Sequence, residues 1–116
     1  MPIERLQSLI SEFAAQREWE RFHTPKNLVM ALTGEVGELS EIFQWLTPDE
    51  SAAIMADGTG RARVEEEMAD VFIYLLRLTD VLGVDLIAAA ENKLESNERR
   101  YPVELTRGRA VKHSDL

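Results

Sequence analysis

Two short acidic motifs carry the chemistry this chain can do: Glu35-Val36-Gly37-Glu38 and Glu67-Met68-Ala69-Asp70. Each reads E-x-x-[E/D], and on a helix residues three apart are neighbours on one face. Each motif therefore presents two carboxylates side by side. Two such pairs facing one another would supply four hard oxygen donors, the ligand type that Mg²⁺ prefers. Carboxylates set against an apolar stripe are costly unless a cation or a partner compensates them, and four together repel strongly without one. Neither motif contains histidine and the chain has no cysteine. That disfavours zinc and the Glu-x-x-His pattern of di-iron bundles. An all-carboxylate set suits Mg²⁺, with Mn²⁺ as a substitute. The chemistry that follows is metal-assisted phosphoryl hydrolysis, in which the ion neutralises phosphate charge and a carboxylate orients or deprotonates the attacking water.

The elements that must position these acids read as helices. No run of period two and no Asn-Gly or Asp-Gly hairpin turn between β-rich segments is present. Leu6, Ile10, Phe13 and Ala14 space a first helix over residues 3–19. Thr24-Pro25 predicts the N-cap and first position of a second, running to about Leu46 with the stripe Leu28, Leu32, Leu39, Ile42 and Leu46. Thr47-Pro48-Asp49-Glu50 repeats the cap with a capping box and predicts a short helix to about Ala56. Asp57-Gly58-Thr59-Gly60 reads as a linker that lets the chain reverse. A third long helix is expected from Arg61, carrying Val64, Met68, Val71, Leu75, Leu78 and Leu82, with Gly83 as its stop. Asp85 caps a last helix from Leu86 to about Arg99. At about 100° per residue, Glu35 falls in the middle of the second helix's stripe and Glu38 at its edge. Glu67, Asp70 and Tyr74 share a flank of the third. The four acids converge if these two helices pack antiparallel.

The expected fold class is all-α, a four-to-five-helix bundle. The 116 residues suit a single domain, here taken as 1–105, with a polar, basic C-terminal tail over 106–116. Phe72, Ile73 and Leu76 lie away from the third helix's main stripe. A helix apolar on several sides needs partners on several sides, so a homo-oligomer built on a two-fold dimer is expected. The formal charge of −8 argues against general nucleic-acid binding. No stretch approaches the roughly 20 apolar residues of a membrane span, and the opening Met1-Pro2-Ile3-Glu4-Arg5 lacks a signal core. With no cysteine, the expected compartment is the cytoplasm.

Trp19 and Trp45 each fall at a helix end. Either could be a lid on the core. Two tryptophans near an anionic site would also suit stacking on a nucleobase, worth about 1–3 kcal/mol per base. His23 precedes the Thr24 cap and competes between a solvated and a ligand role. Lys93 and Asn97 are one turn apart and could set a cation and an amide against phosphate oxygens, or form an ordinary exposed surface. Arg99 and Arg100 could equally bridge subunits.

The segment Gly34-Glu35-Val36-Gly37-Glu38-Leu39-Ser40-Glu41-Ile42-Phe43-Gln44-Trp45 resembles the first metal motif of the all-α nucleotide pyrophosphohydrolases of MazG type. Glu66-Glu67-Met68-Ala69-Asp70-Val71-Phe72-Ile73-Tyr74-Leu75 resembles the second. Three further stretches resemble the branch of that family that hydrolyses dCTP: Glu18-Trp19-Glu20-Arg21-Phe22-His23, the Phe43-Gln44-Trp45 helix end, and Lys93-x-x-x-Asn97-x-x-Arg100-Tyr101-Pro102. The resemblance spans about residues 5–105. It implies the MazG-type all-α fold, a tetramer made as a dimer of dimers, and Mg²⁺-dependent hydrolysis of a nucleoside triphosphate to monophosphate and pyrophosphate. The substrate it implies is dCTP or a modified dCTP, with dUTP, a purine triphosphate or phosphoribosyl-ATP as alternatives. It gives Glu35, Glu38, Glu67 and Asp70 the metal-ligand role. Trp19 and Trp45 match base-contacting aromatic positions, Tyr74 stands beside the metal acids, His23 joins the substrate-binding set, and Lys93, Asn97 and Arg100 face phosphates or sugar. A competing reading of a different kind is a non-catalytic, metal-stabilised oligomerisation or nucleotide-sensing module.

Overall fold

The structure, a computed structural model, describes residues 2–116. It is helical throughout: α1 (Ile3–Gln16), α2 (Pro25–Phe43), α3 (Pro48–Ala53), α4 (Gly58–Leu82), α5 (Leu86–Arg100) and α6 (Val103–Thr106). Single 3-10 turns stand at Glu20–Phe22, Ile54–Ala56 and His113–Asp115. No strand occurs among the described residues. None of these helices is long and apolar enough to cross a membrane.

The caps follow the chemistry of their residues. The Thr24 hydroxyl accepts from Asn27 N–H at 3.3 Å, with Pro25 opening α2. At Thr47 the reciprocal box forms: Glu50 N–H donates to the hydroxyl, and Thr47 N–H donates to the Glu50 carboxylate at 2.9 Å. The Thr47 backbone N–H first, and then the Thr47 side chain, hold the Glu50 carboxyl below its usual value. Asp85 accepts from Ala88 N–H at the start of α5. Gly83 ends α4 with φ +69°, the left-handed conformation that glycine adopts freely.

Several expectations are corrected. Residues 57–60 are not a linker: Asp57 caps α4 by accepting from Gly60 N–H at 3.0 Å, and both glycines lie in the first turn. The glycine at 60 answers a packing need. A Cβ there would lie 2.9 Å from Ile54, against both its side chain and its carbonyl oxygen. The α1 helix ends at Gln16, short of residue 19, and α2 ends at Phe43, short of Leu46. The inner face of α4 is rotated from the expected stripe. Leu76, set apart in the sequence reading, is 0% exposed, whereas Met68 is 55% exposed. The segment after Pro102 is partly structured, holding α6 and the last 3-10 turn.

The chain divides into two compact units, Met1–Gly83 and Val84–Leu116. In the first, α2 and α4 pack along one another as the main helix pair, and α1 packs on α4. A hydrogen bond from the Gln7 amide to the Thr79 hydroxyl ties α1 to α4. The buried apolar set is small: Ala14, Leu28, Ile42, Val64 and Leu76. In the second unit, α5 leads through Tyr101-Pro102 into α6. Arg100 Nη2 lies 2.8 Å from the His113 ring, and Tyr101 meets that ring edge-on at 6.0 Å.

Candidate active site

The helix pair brings three of the four acids together. Glu35 and Glu38 come from α2 and Glu67 from α4, and one carboxylate oxygen from each lies within 4.8 Å of the others. Mg²⁺–oxygen bonds of about 2.1 Å put opposite ligands about 4.2 Å apart, so this spacing fits a single hard cation. The Oε2 atoms of Glu35 and Glu67 are buried and have no hydrogen-bond partner. A buried acceptor without a donor is costly, and a cation is the group that would satisfy both oxygens at once. Asp70, half-buried one turn beyond Glu67, stands outside this tight trio. Its charge still adds to the strain on Glu35 and Glu67.

The electrostatics state that strain. Burial first, then the Glu38 carboxyl beside it, raises the Glu35 carboxyl above its usual value, with Asp70 adding to the push. Glu67 is pushed up to about 7 by burial, by Glu38 and then by the charges of Glu35 and Asp70. Like charges crowded together disfavour full ionisation unless a positive charge joins them. By contrast, Glu65 and Glu66 face solvent, and Glu65 pairs with Arg61 at 3.6 Å as an ordinary surface contact.

Beside the acids lies an aromatic pocket of about 230 Å³. Asp70 and Tyr74 line it from α4, and Trp19 and His23 from the segment between α1 and α2. Asp70 thus belongs to the pocket while acting electrostatically on the acid trio. Trp19 stands edge-on to Phe13 at 5.7 Å and to His23 at 6.3 Å. Its placement depends on Glu18, which takes a positive φ of 54°. That turn lets Trp19 N–H bond back to the Ala14 carbonyl at 3.0 Å and brings the indole edge-on to Phe13. Arg17 covers the same Phe13 ring, 3.6 Å from its centroid.

Of the residues singled out from sequence, Glu35, Glu38 and Glu67 form the trio, while Trp19, His23, Asp70 and Tyr74 line the pocket. Trp45 does not line it; it sits just past the end of α2, 85% exposed. Lys93, Asn97 and Arg100 lie on α5 in the second unit, with Lys93 exposed and Asn97 half-buried. Sequence reasoning missed Phe13 and Ile73 as pocket walls, and above all Arg77. The signal for Arg77 was there: one cation inside Leu75-Leu76-Arg77-Leu78.

The class defined here is an all-helical protein in which carboxylates gathered from two paired helices stand beside an aromatic pocket. Comparison with known proteins gives that class a family. The family model of MazG-like proteins matches residues 31–116. The protein named dCTP pyrophosphatase 1 in Bos taurus is 47% identical over 114 residues, covering 98% of this chain and 68% of the relative. Its Homo sapiens counterpart is 46% identical over 98% of this chain and 67% of its own length. Among solved structures, a pyrophosphatase from Archaeoglobus fulgidus matches with TM-score 0.80 and 46% identity, over 85% of this chain and 91% of that one. The chain belongs to the MazG-like family.

Proposed function

We propose that this chain is a divalent-metal-dependent nucleoside triphosphate pyrophosphohydrolase that converts dCTP, or a modified dCTP, to the monophosphate and pyrophosphate, and so cleanses the nucleotide pool. The observation that carries the reading is the pair of buried, unpartnered oxygens on Glu35 and Glu67, set next to an aromatic pocket. The relatives named dCTP pyrophosphatase support cytosine as the base.

Glu35, Glu38 and Glu67 hold Mg²⁺, with Asp70 as a fourth acid of the site. The bound ion supplies Lewis-acid neutralisation of phosphate charge. The chain's own residues do the rest. A carboxylate not engaged by the cation orients the attacking water toward the phosphorus nearest the sugar, and the bond to the pyrophosphate group breaks. Trp19 offers a stacking face, and Tyr74 and His23 border the same pocket, which at about 230 Å³ has room for a nucleobase. The exposed Trp45 has its indole free to meet a ligand or a neighbouring copy. Lys93 and Asn97, one turn apart on α5, offer an ammonium and an amide to an anionic ligand.

The working unit in this reading is one MazG-like module over residues 1–105 followed by a basic tail, assembled as a homotetramer, a dimer of dimers, in the cytoplasm. Nucleic acid is not its partner. The test is a panel of dCTP, dUTP, purine triphosphates and phosphoribosyl-ATP at fixed Mg²⁺, with the released products identified. Pyrophosphate release that is fastest with dCTP and stops with EDTA is expected. Orthophosphate as the first product would refute it. Mg²⁺ raising the melting temperature without turnover of any triphosphate would leave a non-catalytic module instead.

A further inference from the structure

Arg77 is the pocket residue that the sequence left without a role. It is 8% exposed, and a guanidinium so enclosed must find acceptors for its donors. Its carboxylate neighbour is distant: Nη1 lies 3.8 Å from Asp80 Oδ2, too long for a hydrogen bond. The short contact is to a histidine. Arg77 Nε–H donates to His23 Nδ1 at 3.0 Å. Guanidinium has no acceptor and stays protonated, so the direction of this bond has one solution. Nδ1 carries the lone pair, and the hydrogen of a neutral ring sits on Nε2. A second ring proton would have to sit on Nδ1, facing the Arg77 donor. Burial and the Arg77 charge accordingly hold the His23 pKa below 6.5.

We infer that Arg77 is a positioning residue that locks His23 in its neutral Nε2–H form, so that the ring offers the pocket a hydrogen-bond donor for an acceptor atom on the nucleobase. The recognition half rests on the reading of this pocket as the base site. Trp19 alone would stack on any base, because every base has a π-face. A fixed donor adds what stacking lacks, a preference for a base edge with a carbonyl oxygen or unprotonated ring nitrogen at that place. Cytosine presents both. With its only lone pair committed to Arg77, His23 has none free to take a proton from water. It reads the base and does not activate the nucleophile.

The chain has two histidines, His23 and His113, so a long-range ¹⁵N–¹H spectrum of the full-length protein shows two rings, and His113→Gln assigns them. The wild-type His23 should show an unprotonated Nδ1 and a protonated Nε2 at neutral pH. In Arg77→Met the two nitrogens should move toward averaged values. The ratio of kcat/KM for dCTP to that for base-free deoxyribose triphosphate should fall about tenfold, the worth of one hydrogen bond. Should Arg77→Met not fold, Arg77→Lys keeps the buried charge and should shift the same spectrum and ratio in the same direction. A wild-type ring with its hydrogen on Nδ1, or variant spectra identical to wild type, would overturn the lock. A released ring with the substrate ratio unchanged would overturn the recognition role. Loss of turnover for all nucleotides in proportion would point to a structural residue only. If the wild-type protein hydrolyses no nucleotide while the Nε2–H form persists, the lock stands and only the reading of the pocket fails.

Discussion

At the scale of single residues, the acid cluster is a store of repulsion that the proposed cation would discharge. Replacing Glu38 by Gln or Asp70 by Asn removes a negative charge with little change of shape. Either should lower kcat/KM by about 10²-fold or more, the usual cost of losing one electrostatic element at a reacting centre. Steady-state pyrophosphate release measures it, and a loss under threefold would remove that acid from the site. The cluster also sets a pH dependence for the metal-free protein. Glu67 titrates near 7 when folded, against an ordinary 4.5. Between those values the folded state keeps a proton that the unfolded state has released. Stability should therefore fall as pH rises from about 4.5 to about 7 and stay level above that. His23 acts in the opposite sense: its folded pKa lies below 6.5, so its contribution falls as pH drops below that value. The difference between wild type and Glu67→Gln isolates the acid. In EDTA, melting curves should show the variant gaining on wild type as pH rises, and added Mg²⁺ should stabilise wild type most above pH 7. A difference that does not change with pH would show that Glu67 is not strained.

At the scale of elements, the caps and the Glu18 turn decide where the site residues stand. Thr24, Thr47, Asp57 and Asp85 start their helices by side-chain hydrogen bonds, and those at Thr24, Thr47 and Asp85 are legible in sequence because the capping atom lies within three residues of its donor. Only the Asp57 cap was misread, since Gly58 and Gly60 signal flexibility whether they lie in a loop or a first helical turn. What separates the two is the close approach of Ile54 to Gly60, a contact no local pattern reports. The Glu18 turn is strained in a different way. A non-glycine residue in the left-handed region costs about 1–2 kcal/mol, so Glu18→Gly should raise stability by up to about 1 kcal/mol once the glycine's own chain entropy is counted. Denaturant titration checks this, with intact activity showing that Trp19 stays in place. A destabilised variant would mean that the Glu18 side chain contributes more than its backbone costs.

At the scale of the molecule, the balance of covered and uncovered apolar surface is the telling quantity. Among the described residues five apolar side chains are buried, yet Met30, Val36, Met68, Phe72, Ile73 and Leu94 remain between 40% and 64% exposed. Leu39, Met68, Val71, Phe72 and Leu75 line an open apolar groove on the α2–α4 pair. Surface of this kind is unusual on a monomer. The expected outcome is a tetramer in sedimentation equilibrium, and Phe72→Glu should dissociate it and lower the melting temperature by several degrees. A wild-type protein that sediments as a monomer would refute the assembly.

From the sequence alone came the helical class, four of the starts and stops, and the placing of Glu35 within an apolar stripe. All are set by neighbours three or four residues apart, where local geometry leaves one answer. It also marked both acidic motifs, since a carboxylate beside leucines conflicts with burial in any fold. Only the tertiary structure could bring Glu67 of α4 to Glu35 and Glu38 of α2, set Asp70 to one side, turn Leu76 inward in place of Met68, and lay Arg77 against His23 across 54 residues of chain. Those outcomes depend on how two helices rotate against each other. The net packing of whole faces decides that rotation, and no single spacing encodes it.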